Sequence, residues 1–83
     1  MSAATQFHAL IVARVDAEAG GAIAVTFAVP ENLRTVFAFT PGQFLTLRAT
    51  IDGQDVRRSY SICSSLYQWR TQGTVQVGIR PVE

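Results

Sequence analysis

The spacing of the apolar residues constrains this 83-residue chain more than any other feature. No long segment repeats them at a helical period. They come in short runs rich in Val, Ile, Phe, Tyr and Thr, cut by turn residues, which is the pattern of an all-β domain. "FHALIVARVDA" (7–17) reads as a first strand, and "EAGG" follows, with Gly20 and Gly21 able to take positive φ in a turn. "AIAVTFAVP" (22–30) puts Ile23, Val25, Phe27 and Val29 on one face, as a half-buried strand requires. "ENLRTVFAFT" reads as a loop with room for one short turn. "PGQFLTLRATI" (41–51) and "QDVRRSYSIC" (54–63) read as two strands joined at Asp52-Gly53, a strong hairpin signal. Leu45, Leu47 and Ala49 face together on the first of them. "SSLYQWRTQG" reads as a long loop, and "TVQVGIRPV" (74–82) as a last strand with Val75, Val77 and Ile79 on one face. Pro81 has no N–H to donate, so that strand ends there or lies at an edge.

Five short strands with tight turns favour a small barrel or a sandwich. A chain this short makes one modest core. Hydrophobic residues at 48% and charged residues at 16% describe a globular chain rather than a disordered one. A net charge of +1 argues against a nucleic-acid partner, whose usual footprint is a strongly basic face. The N-terminus has no basic start, and its apolar run is only "ALIVA", so neither a signal peptide nor a membrane span is expected and the cytoplasm is the default. Cys63 is the only cysteine and His8 the only histidine, which excludes a disulfide framework and a cysteine metal site. His8 reads as a surface or half-buried strand residue. The sequence stops on "RPVE" straight after a strand, which leaves an open edge with unpaired backbone groups. The expectation is a piece of a longer protein, with self-association through that edge.

"RRSYSICSS" (57–65) crowds two arginines, a tyrosine, four serines and the cysteine into one stretch. Arg58 and Tyr60 lie two apart and share a strand face, while Ser61 points the other way unless the strand twists or ends there. An arginine offers a rigid fork of donors that matches a phosphate. A tyrosine ring can lie on another flat ring, and a serine adds a donor and an acceptor. A ligand with an anionic part and a planar heteroaromatic part would fit such a set.

"RSYS" (58–61) matches an R-x-Y-S/T motif, and "FTPGQFLTL" (39–47) a P-G-Q-F/Y segment ahead of it, with a hairpin between them. In these residues, and in "VQVGIRPVE" (75–83), the chain resembles the ferredoxin–NADP reductase superfamily, and within it the flavin/iron–sulfur oxygenase reductases such as those of phenylacetyl-CoA epoxygenase. The resemblance implies an antiparallel Greek-key β-barrel that binds FAD, here truncated before its closing helix and last strand, so that residues 1–83 are the N-terminal part of the domain. It also implies roles. Arg58 would bind the flavin phosphate. Tyr60 would pack on the isoalloxazine ring. Ser61 would hydrogen-bond near the ring's N5 and is the one catalytic candidate. Ser59, Ile62 and Cys63 would lie along the cofactor, the last two offering mainly backbone groups, and Arg80 would be a basic residue on the next strand. The intact protein would carry NAD(P)H-binding and [2Fe–2S] domains and pass electrons to an oxygenase component in phenylacetate degradation. The 83-residue piece alone is expected to hold FAD weakly or not at all.

Plainer readings stand beside these. Arg58 would be a solvated arginine paired with Asp52 or Asp55. Cys63 would be a small buried hydrophobe, with no histidine or lysine near it to lower its pKa. Gly42 would serve backbone conformation and Phe44 packing. Tyr67 and Trp69 would cover the adenine or a partner, or cap the barrel. The whole chain would be a non-redox β-barrel module whose "RRSYSICSS" edge pairs with another chain.

Overall fold

The computed structural model describes residues 7–40 and 42–80. Five strands form: β1 (Ile11–Ala17), β2 (Ile23–Ala28), β3 (Phe44–Ile51), β4 (Gln54–Ser61) and β5 (Thr74–Ile79). They build two antiparallel sheets, one in the order β1-β2-β5 and one made of β3 and β4. Each expected strand is present but shorter at its ends. Phe7 to Leu10 precede β1, and the return strand closes at Ser61. Pro81, where the last strand was expected to end, lies outside the described residues, as does Pro41.

Turn chemistry sets the pairings. Gly20 (φ 74°) and Gly21 (φ 80°) carry the chain from β1 into β2 through a 3-10 turn. Asp52 (φ 51°) and Gly53 (φ 78°) both take positive φ, as a tight two-residue hairpin needs. That turn fixes the register from Ile51–Gln54 down to Phe44–Ser61. The expected short turn after Pro30 is a 3-10 turn at Glu31–Leu33.

The stretch expected as a long loop contains a helix, α1 (Leu66–Gln72). The Gln68 N–H donates to Ser65 Oγ at 3.0 Å, capping the first turn. Gly73 (φ 66°) ends the helix in the left-handed region, and its N–H donates to the Trp69 carbonyl at 3.0 Å. A side chain at Gly73 would collide with the Arg34 guanidinium. Seven residues are too few for a helical period to show, so only the caps betray this helix in the sequence.

The core lies on the inner face of β2 and β5, where Val25, Phe27, Val75 and Val77 are buried with Val29 and Phe39. In register, Val25 sits opposite Val77 and Phe27 opposite Val75. The alternation read in both strands is the alternation of this face. Trp69 packs against the core with its ring edge-on to Phe39 at 5.8 Å. It therefore caps the core, while Tyr67 on the same helix is exposed.

Among the described residues, backbone hydrogen bonds join the sheets on one side, while Leu45, Leu47 and Tyr60 pack against the core. Past the end of β4, Ile62 bridges to Val77, and the Cys63 N–H donates to the Gln76 carbonyl at 2.9 Å. On the other side, β3 and β1 do not pair among the described residues, so the barrel implied by resemblance is not closed there.

Candidate functional site

The side chains of β4 divide as period two demands. Arg58 and Tyr60 stand opposite Leu47 and Leu45, while Ser59 and Ser61 stand opposite Thr46 and Phe44. Tyr60 is half-buried and packs on the core edge. Beside it opens a cleft of about 460 Å³. Tyr60, Ser59 and Ser61 from β4 line it with Phe44 from β3, and Cys63, Gly78 and Arg80 close its other side. Five of the seven expected site residues thus converge. The two exceptions are Ile62, which turns into the core, and Arg58. Arg58 lies two residues before Tyr60, about 7 Å along the strand.

The crowding of polar groups in "RRSYSICSS" is mostly structural. Ser59 Oγ and Thr46 Oγ1 share a hydrogen bond at 2.8 Å. Ser64 Oγ accepts from the Gln76 N–H at 2.9 Å, and Ser65 caps α1. Ser61 is the exception: among the described residues its hydroxyl makes no hydrogen bond, and it faces the cleft. The arginines divide in the same way. Arg57 is tied to Asp55 at 3.2 Å and lies over the Phe7 ring at 5.0 Å. Among the described residues, the Arg58 side chain donates only to the Arg57 carbonyl, at 2.8 Å. Among the described residues Arg58 pairs with neither Asp52 nor Asp55, and Asp55 is taken by Arg57.

Two further expectations are corrected. Cys63 is exposed rather than a buried hydrophobe, because the chain leaves β4 there and turns toward α1. Its thiol contacts the Gln76 carbonyl at 3.6 Å and the Gln76 side-chain oxygen at 3.5 Å. Partial burial pushes its pKa up, the negative charge of Glu18 adds to the rise, and a backbone hydrogen bond offsets part of it. At neutral pH the thiol therefore stays protonated. Phe44 is not core packing: it is 66% exposed. Counting back from the Asp52-Gly53 turn would have placed it opposite Ser61 from sequence alone. Gly78 is the other residue the sequence did not single out. A Cβ built there meets no atom within 4 Å, so the glycine leaves that part of the cleft open.

A larger cleft, about 690 Å³, lies between the Phe7–Leu10 segment and β3. Size favours it, but the chemistry does not. Phe27, Phe37, Leu45 and Leu47 make it mainly apolar, and it is the opening left where β1 and β3 do not pair. None of the expected site residues lines it.

A family model described as the oxidoreductase FAD-binding domain matches residues 12–83. The chain belongs to this family. The FAD-binding domain is 44% identical over 79 residues to a component of the 1,2-phenylacetyl-CoA epoxidase of Escherichia coli (strain K12), a match covering 95% of the chain and 21% of that relative. It is 47% identical over 57 residues to the 3-ketosteroid-9-alpha-monooxygenase ferredoxin reductase component of Rhodococcus rhodochrous, covering 68% of the chain and 16% of the relative. The glycine betaine monooxygenase reductase of Pseudomonas aeruginosa (strain UCBPP-PA14) is 50% identical over 40 residues, 48% of the chain and 11% of that protein. The FAD-binding domain thus spans about a fifth or less of the length of these relatives. No solved structure matches it. Family membership sets aside the non-redox barrel as a reading of the chain.

Proposed function

We infer that this domain holds the FAD of an NAD(P)H-dependent reductase that feeds an iron–sulfur centre and an oxygenase, in the degradation of an aromatic acid such as phenylacetate. The observation that carries the reading is Ser61, whose hydroxyl is unbonded among the described residues and opens into a cleft beside Tyr60. A planar ring with a polar edge fits there: Tyr60 and Phe44 offer aromatic surface, Gly78 leaves room, and among the described residues no carboxylate lines the walls.

When bound, FAD supplies the redox chemistry, and the protein supplies placement and electrostatics. Tyr60 packs on the ring, and its own packing on the core keeps its orientation fixed. Ser61 hydrogen-bonds the ring's polar edge at N5. Ser59, already tied to Thr46, borders the ring. Cys63 lies beside it as a neutral thiol, and Ile62 contributes backbone only. Arg58 reaches the phosphate, which its distance along the strand from Tyr60 allows. Arg80 adds positive charge at the cleft. The roles of the nicotinamide-binding domain, the [2Fe–2S] domain and the oxygenase component, and a cytoplasmic location, rest on kinship with the oxygenase reductases and belong to the same proposal. Among the described residues, no helix is long and apolar enough to cross a membrane.

The intact protein, purified as expressed, tests this. A yellow protein that releases FAD on denaturation and reduces a one-electron acceptor with NADH or NADPH is the expected result. A colourless protein that FAD does not reconstitute would overturn it.

A further inference from the structure

We propose that Gln76 is a positioning residue for the flavin: its side chain holds in place the wall of the cleft that Cys63 forms. The inference rests on the flavin reading and deepens it. The β3–β4 register ends at Ser61, and Cys63 is two residues past it. What fixes Cys63 is β5. The Cys63 N–H donates to the Gln76 carbonyl at 2.9 Å, and the Gln76 N–H donates to Ser64 Oγ at 2.9 Å. Those two bonds use backbone atoms of residue 76, and any residue except proline could make them. The side chain adds what is particular to glutamine. Its oxygen accepts from the Cys63 thiol at 3.5 Å, and its amide nitrogen donates to Thr26 Oγ1 at 3.0 Å.

Thr26 anchors the arrangement. It lies opposite Gln76 on β2 and is only 5% exposed. A buried hydroxyl left without a partner is costly, so the Gln76 amide is held facing it. The fixed amide then presents its oxygen to Cys63. One side chain thereby ties together β2, β5 and the segment that leaves β4. Thr74 gives the contrast. It shares a strand face with Gln76, two residues earlier. Its hydroxyl accepts from the Gln68 side chain at 2.9 Å and so holds α1, and neither residue lines the cleft. Cys63 lines the same cleft as Tyr60 and Ser61, so a shift of Cys63 would reshape it. A wall already held in place loses little freedom when a ligand arrives.

Apoprotein prepared from the intact protein is titrated with FAD and, separately, with riboflavin, which has the ring but no phosphate. Gln76→Leu keeps much of the bulk and removes both side-chain bonds. It is expected to weaken both ligands by the same factor, about 3- to 10-fold, the scale of one neutral hydrogen bond. Iodoacetamide, followed on the peptide that carries Cys63, should alkylate the variant apoprotein faster, because the thiol is no longer held. Gln76→Leu also leaves the Thr26 hydroxyl buried without its donor and should lower the thermal midpoint. Adding Thr26→Val removes that unpaired group, so the midpoint should recover while both affinities stay low. Thr74→Val, which frees α1 instead, should leave both affinities unchanged. Unchanged riboflavin affinity or unchanged alkylation in Gln76→Leu overturns the proposal. So does recovery of affinity along with the midpoint in the double variant, or an equal loss of affinity in Thr74→Val. If Gln76→Leu does not fold, the double variant decides: affinity equal to that of the unaltered protein overturns the proposal, and weaker affinity supports it. An unaltered protein that binds neither ligand would instead refute the flavin reading beneath the proposal, and the proposal with it.

Discussion

The two sheets of this domain do different work. In β2, Ala24, Val25, Thr26 and Phe27 are all buried, and in β5 Val75 and Val77 are 1% and 0% exposed. In β3 and β4, no residue is fully buried: only Leu45, Leu47, Val56 and Tyr60 reach even half-burial. The first sheet is a core, and the second is a rigid hairpin that leans on it. Stability is concentrated where apolar area leaves water. In the proposed reading, the hairpin carries much of the binding chemistry, since backbone pairing fixes positions while side chains stay available. Backbone contact between the sheets runs through Ile62 and Cys63 onto β5, Leu45, Leu47 and Tyr60 pack against the core, and the cleft opens beside Tyr60.

Gly78 offers the sharpest separation of the two. It sits in β5, in the stable sheet, but opens into the cleft. Gly78→Val adds a β-branched side chain to a strand, which favours the strand, and its Cβ would meet no atom within 4 Å. The expected outcome is a folded protein with an unchanged or raised thermal midpoint and FAD affinity lower by about 10- to 100-fold, a loss that two mismatched ring contacts would produce. Calorimetry and flavin titration on the same preparation would show it. Retained FAD affinity would mean that the ring lies elsewhere.

Arg58→Ala and Val75→Ala test the comparison from opposite sides. Removing a charge-assisted contact to phosphate should weaken FAD by about 10- to 100-fold. Riboflavin, which has no phosphate, should bind as before. Folding stability should hold, because Arg58 is exposed and, among the described residues, its side chain makes one hydrogen bond, to its neighbour's carbonyl. Val75→Ala reverses this. It removes a buried side chain packed opposite Phe27 and should cost about 2–3 kcal/mol of stability. That is a large part of the margin of a small domain. FAD affinity of the fraction that remains folded should not change. If each variant moved both quantities together, the division of labour between the sheets would be wrong.

The same division explains what the sequence made legible. Val25, Phe27, Val75 and Val77 alternate because one side of their sheet is dry, so the core could be read from period two alone. The β3–β4 register followed from the Asp52-Gly53 turn. What stayed hidden depends on how the sheets meet. Helix α1 is too short for a periodic signal and is held by its caps and by Trp69 on the core. Phe44 in isolation looks like any apolar strand residue; only the register and the missing cover over β3 show that it points into a cleft. The resemblance singles out Ser61 among the four serines, and hydrogen bonding separates it from Ser59, Ser64 and Ser65 in the fold.

Cys63 gives the smallest effect and the finest probe of the contact between the sheets. Partial burial and the charge of Glu18 raise its pKa above the ordinary thiol value of 9.0. A thiol raised in the folded state favours folding while it is protonated. That contribution is fully present below the unfolded pKa and is lost as pH rises through the higher folded one. The window therefore lies above pH 9, and near pH 7 Cys63 adds no pH dependence to stability. Its reactivity should report the same thing. Iodoacetamide should alkylate the folded protein more slowly than the unfolded protein at pH 8, although the thiol is exposed, because the thiolate is the nucleophile. Glu18→Gln should narrow that difference slightly and leave a residue of it, since burial is the larger cause. Alkylation of the folded protein as fast as the unfolded would mean that Ile62 and Cys63 come away from β5 readily. The cleft would then be a feature of a loose junction, with the hairpin free to leave the core it leans on.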